Sequence, residues 1–146
     1  MNREAAGTAG ARLVGLFFSA TAIGNTFGTL RIATGFLEWL RDGAWLPPFR
    51  SVLKRLVPAA PAVVLAAAAF QAVIAFMLLS GKGIRTALRL AQLFVLGLIP
   101  CIAWPYWVVN AGLAAVFEAV RRACRPRSPA AVPAADTLAA AGSPAS

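Results

Sequence analysis

The sequence predicts an all-α integral membrane protein, an antiparallel four-helix bundle with a short interfacial helix between spans 1 and 2. Three observations carry that expectation. The stretches Leu13 to Leu30, Leu56 to Gly81 and Leu90 to Phe117 contain no charged residue, and a helix crosses a hydrocarbon core with about 20 apolar residues. Basic residues flank most of their ends, among them Arg12, Arg31, Arg55, Lys82 and Arg89. The third stretch, about 28 residues, is too long for one comfortable crossing, and Trp104-Pro105-Tyr106-Trp107 interrupts it.

Composition narrows the class. A chain of 146 residues that is 60% hydrophobic and 13% charged, with mean hydropathy +0.73, has too little polar surface to cover a soluble globule. The net charge of +9 does not point to nucleic acid, because the fourteen Lys and Arg residues sit at the ends of apolar runs and in the connections between them. There they act as topology determinants and lipid-headgroup contacts. Histidine is absent, which removes the usual haem ligand, most zinc and copper sites and any imidazole base. The two cysteines, Cys101 and Cys124, form no CxxC pair, so neither a metal nor a dithiol cofactor site is expected.

Along the chain, residues 1–11 are small and polar and are expected to be flexible. The first span covers about 12–30, with helical periodicity continuing through Ile32, Phe36, Leu37 and Leu40. A signal peptide is the competing reading of this segment, since Ala20-Thr21-Ala22 looks like a cleavage site, but apolar sequence continues through Ile23, Phe27 and Leu30. After Trp45 and Pro47-Pro48, apolar positions 49, 52, 53, 56 and 57 fall on one helical face away from Arg50, Lys54 and Arg55, the pattern of a helix lying in the interface. Pro58 and Pro61 open the second span, about 58–79, where first-turn amides need no intrahelical acceptor. Ser80-Gly81-Lys82-Gly83 makes a tight turn into the third, about 86–103. Residues 123–146, rich in Pro, Ala and Ser, are expected to be disordered.

The alternative is three spans with a long kinked third helix. Counting Lys and Arg on each side does not decide between them, because both topologies divide the fourteen nine to five. Local chemistry favours four. Pro105 lacks an amide hydrogen, and Trp104, Tyr106 and Trp107 have the composition of interface anchors, so a turn fits there. The two halves, 86–103 and 105–121, then measure roughly 27 and 24 Å at 1.5 Å per residue. Both termini fall in the cytoplasm.

Depth counted from the helix ends makes Asn25 level with Asn110 and Gln71 level with Gln92, so these are the candidate intramembrane polar pairs. Gly24-Asn25-Thr26-Phe27-Gly28 is a small-xxx-small pattern, which makes Gly24 and Gly28 the candidate helix-packing residues. No carboxylate lies at mid-depth. Glu38 and Glu118 each precede an arginine by three residues and are expected in helical ion pairs. No catalytic constellation is visible, and the chain does not read as an enzyme.

These features resemble the DoxX-like family of small four-helix bacterial membrane proteins. The resemblance lies in the glycine-rich first span with Asn25, in Trp45-Leu46-Pro47-Pro48-Phe49-Arg50, and in Leu78-Leu79-Ser80-Gly81-Lys82-Gly83. Arg85-Thr86-Ala87-Leu88-Arg89-Leu90 and Asn110 also carry it, over roughly residues 12–122. Where relatives often carry a glutamate in the second span, this chain has Gln71. The resemblance implies a multi-pass protein of the bacterial inner membrane, an accessory or interaction subunit with a membrane or redox-related protein partner. The competing expectations are an oligomeric small-solute transporter or pore, and a quinone-interacting oxidoreductase subunit. A homo-oligomer is compatible with all three.

Overall fold

The computed structural model describes residues 3–124, and every regular element among them is helical. The α-helices are α1 (Arg3–Phe27), α2 (Ala33–Gly43), α3 (Pro47–Leu56), α4 (Ala60–Leu79), α5 (Ile84–Leu98) and α6 (Tyr106–Ala123). Single 3₁₀ segments at Thr29–Ile32, Val57–Ala59 and Ile99–Cys101 join them. Three helical runs are long and apolar enough to cross a membrane: Ala5–Phe27, Pro47–Leu79 and Ile84–Cys101. The fourth long helix, α6, has 18 residues and ends in Glu118, Arg121 and Arg122.

α1 packs on α4 and α6, and α5 packs on the same two helices. Neighbours run antiparallel, as residue pairs show. Gly15 backs onto Leu78 and Leu79 of α4, and Gly10 onto Val120 of α6. Gln92 of α5 donates to the Ala114 carbonyl of α6 at 3.4 Å. The core where the four helices meet is centred on Phe18, 1% exposed, with ring centroids 5.8 Å from Phe117 and 6.2 Å from Phe94. Ile74, Leu78, Ala87, Leu88 and Ala91 complete it.

The expected flexible segment 1–11 needs correction from residue 3 onward, because α1 already begins at Arg3. Its first turns carry a face of small residues that seats on the end of α6. A Cβ added at Gly7 would lie 3.1 Å from the Ala123 backbone, one at Gly10 would lie 3.1 Å from Val120, and Ala11 is fully buried. Close approach of backbones supplies the tertiary contact that orders this segment. The tail expected to be disordered lies outside the described residues apart from Ala123 and Cys124, which close α6.

The third apolar stretch is broken. α5 stops at Leu98, Pro100 sits in a 3₁₀ turn, and Ile102 is extended at φ −120°, ψ 131° before α6 starts at Tyr106. The chain then doubles back along α5, so a single long kinked third helix is not formed. Proline lacks the donor that would continue an α-helix, which accounts for the break.

The connection between α1 and α4 holds two short helices, α2 and α3, where one interfacial helix is expected. Both are amphipathic. α2 buries Ala33, Leu37 and Leu40 at helical spacing, and α3 buries Leu53. Leu46 is extended, as a residue before proline must be, and Pro47 opens α3. The anticipated apolar face of α3 is only partly covered, since Phe49 and Val52 remain exposed. At the other end, Gly81 (φ 74°) and Gly83 (φ 64°) make the α4–α5 turn with left-handed backbones that side chains disfavour.

The outward faces are apolar. Leu13, Ile23, Phe27, Phe76, Leu93 and Val109 are each 59% exposed or more. In water each would forgo roughly 1–2 kcal/mol of burial, about two-thirds of the value for a whole side chain. α4 has no charged residue over its length and shows apolar side chains all round, which is compatible with a small membrane protein in contact with lipid.

Candidate functional site

A cavity of about 750 Å³ lies between α1, α2, α4 and α5. Small-molecule pockets typically hold about 300–1,000 Å³. Phe36, Leu37, Leu40, Leu53, Val64, Phe94 and Leu98 form apolar walls, and Thr21, Asn25, Thr29 and Gln71 bring polar atoms to them. No lining residue carries a charge.

The polar atoms are ordered in a chain. Thr29 Oγ1 donates to Asn25 Oδ1 at 2.9 Å, and Asn25 Nδ2 donates to Gln71 Oε1 at 2.8 Å. α1 supplies Asn25, and Thr29, four residues on, lies one turn above it in the following 3₁₀ segment. α4 supplies Gln71, 5% exposed and the one buried polar residue among those described. In an apolar surround such amides need partners, and interhelical bonds of this kind average about 0.6 kcal/mol with a maximum near 1.7. Thr21 donates to the Phe18 carbonyl at 3.1 Å and is satisfied within its own helix.

The structure re-pairs the four amides singled out in the sequence. Asn25 meets Gln71, not Asn110, and Gln92 meets the Ala114 carbonyl, not Gln71. Asn110, half-buried on α6, joins none of these bonds. Equal depth is not sufficient for a pair; the two side chains must also face the same seam, and Asn25 faces α4. Thr29 went unremarked in the sequence, although its i+4 spacing from Asn25 is the signal that would have found it.

Gly24 and Gly28 do not pack a helix within the chain. A Cβ at Gly24 meets nothing within 4 Å, and one at Gly28 meets only the Gly24 carbonyl and its carbon. Both line the cavity and are exposed, so they open its wall. The close helix contacts fall instead at Gly7, Gly10 and Gly15.

Trp104 (71% exposed), Tyr106 and Trp107 cluster at the turn into α6. Trp104 and Trp107 have ring centroids 5.7 Å apart, and Tyr106 meets Trp39 of α2 at 6.2 Å. Trp45 Nε1 donates to the Ile99 carbonyl at 3.1 Å. All four tryptophans and the single tyrosine therefore gather where α2 and α3 meet the α5–α6 turn, the end opposite the α4–α5 glycines.

Ion pairs stay at the ends. Glu118 takes Arg121 in a two-point contact of 2.7 and 2.8 Å and Arg122 at 2.7 Å. Arg41 sits 3.9 Å from Glu38 but bonds Asp42 at 2.7 Å, and that bond holds the Asp42 carboxyl below its ordinary range. Among the described residues no three His, Cys, Asp or Glu side chains gather as a metal site would require. The arrangement can hold an uncharged molecule and polarise it weakly. No protein-family model, curated protein or solved structure matches the chain.

Proposed function

We propose that the chain is a small multi-pass protein of the bacterial inner membrane, DoxX-like, and that it acts as an accessory or interaction subunit of a membrane complex with no catalysis of its own. α1, α4, α5 and α6 form an antiparallel four-helix membrane bundle. α2 and α3 lie at its outer interface, and both termini are cytoplasmic.

The observation that carries the reading is the fold-back at residues 99–105. It pairs α6 with α5 and gathers the tryptophans at one end, while Arg85, Arg89, Arg121 and Arg122 gather at the other. Aromatic residues with polar edges favour the headgroup level, and arginines at helix ends snorkel toward it. The interior supports an accessory role, since its polar groups are amides and hydroxyls and its ion pairs lie at the ends.

Extraction in a mild detergent followed by size-exclusion chromatography tests the reading. A second membrane protein in constant ratio to this chain across the peak is the expected result. A homogeneous species containing this chain alone would overturn it.

A further inference from the structure

We infer that the cavity is a binding site for an uncharged, membrane-dissolved molecule that offers one carbonyl oxygen on an apolar body, and that the Gln71 amide is the group that reads that oxygen.

The Gln71 oxygen is taken by Asn25, while its Nε2 hydrogens meet no acceptor among the described residues. No side-chain nitrogen or oxygen there is both sealed off and unpartnered. The amino group of this 95%-buried side chain is therefore open to the cavity that Gln71 lines. The two bonds share one direction, from the Thr29 hydroxyl through Asn25 to Gln71, and a bond donated by Gln71 would continue it. Hydrogen bonds aligned in this way polarise one another, so the terminal N–H is a stronger donor than an isolated amide. A donor left over in an apolar cavity selects an acceptor, because an empty donor there carries a desolvation cost.

The walls define the rest of the ligand. With no charged residue in the lining, an ion or a charged headgroup would lose its hydration without compensation. α6 contributes nothing to the lining, and Gly24, Gly28 and Ile32 line the cavity while remaining exposed. The opening is thus sideways through the exposed face of α1 toward its C-terminal end. A molecule that partitions into the bilayer can enter there.

Methyl palmitate, heptadecane and palmitate form a probe set with an ester carbonyl, no oxygen and a carboxylate on similar chains. Each is added to the full chain in nanodiscs. Native mass spectrometry reads occupancy, and the infrared band of a ¹³C-labelled ester carbonyl reads the hydrogen bond. The ester is expected to bind on the order of tenfold more tightly than either other probe, the value of one good hydrogen bond, with its carbonyl band shifted to lower frequency. Gln71→Leu should abolish both the preference and the shift, and Gln92→Leu should keep both. Gly24→Leu, whose Cβ meets no atom of the fold within 4 Å, should block entry and lower occupancy of all three probes. Lipid extracted from protein purified from its own membranes then tells an acyl ester from a carbonyl on a prenyl chain.

Equal binding of ester and alkane, or a shifted band that survives Gln71→Leu, would overturn the proposal. It rests on the bilayer-spanning reading, whose own failure looks different: the chain would leave membranes in alkaline carbonate without detergent.

Discussion

Replacing Phe18 by alanine should be among the most damaging single truncations in the chain. The ring is 1% exposed and is shared by three helices, touching Phe94 of α5 and Phe117 of α6 from α1, with Phe17 edge-on at 5.5 Å. Phe-to-Ala changes in soluble cores cost about 3–5 kcal/mol. Part of that is transfer from water, which lipid-embedded helices do not regain, because lipid tails are as apolar as the core. What remains is the unfilled space and the ring pairs, worth about 0.5–1.5 kcal/mol each beyond area. The expected loss is therefore about 2–3 kcal/mol. Phe17, 40% exposed beside it, leaves a smaller cavity when truncated and should lose less, about 1 kcal/mol, on the same change. Unfolding in mixed micelles with increasing dodecyl sulfate, followed by circular dichroism and tryptophan fluorescence, measures both. A Phe17→Ala loss equal to or above that of Phe18→Ala would refute the burial of the Phe18 ring between Phe94 and Phe117.

Three further outcomes follow from named contacts. Gly10→Leu should destabilise the chain or push α1 off α6, since even a Cβ there stands 3.1 Å from Val120, whereas Gly24→Leu should leave the dodecyl sulfate midpoint unchanged; the reverse order would restore the Gly24/Gly28 packing motif. A double-mutant cycle of Asn25→Leu and Gln71→Leu should give a coupling of about 0.6–1.7 kcal/mol, while Asn25→Leu with Asn110→Leu should be additive in the same assay. Gly83→Ala should cost about 1 kcal/mol or more, because φ 64° is left-handed and the new methyl meets Met77 Cε at 3.1 Å; a neutral midpoint would contradict the turn geometry.

Much of the helical layout was legible in the sequence because charge-free length and flanking arginines mark where long apolar helices start and stop. The break near Trp104 was legible for the same reason, since proline and interfacial aromatics interrupt an otherwise continuous run. The pairing of side chains was not. Counting residues from a helix end gives depth, but which way Asn25 points around α1 depends on how the helix is rotated, and apolar residues on every side of α4 leave rotation unmarked. The glycine pattern misled for a related reason: Gly24 and Gly28 share a helix face, yet the sequence does not say whether that face meets a helix or a cavity. The first turns of α1 look like a frayed polar end until α6 supplies the surface for Gly7 and Gly10. Thr29 enters the site only because α1 ends at Phe27 and the next turn keeps it beside Asn25.

The central claim is that α6 crosses the bilayer, with the turn before it on the outer face. Tyr106→Cys, in a chain with Cys101→Ala and Cys124→Ala, tests it with a membrane-impermeant maleimide applied to intact spheroplasts, beside Arg122→Cys in the same background. Tyr106 is 58% exposed, so its replacement is reachable if the turn faces outward. The account predicts that Tyr106→Cys is labelled at once and Arg122→Cys only after the membrane is opened. Labelling of Arg122→Cys from outside, or silence of Tyr106→Cys until permeabilisation, would contradict it.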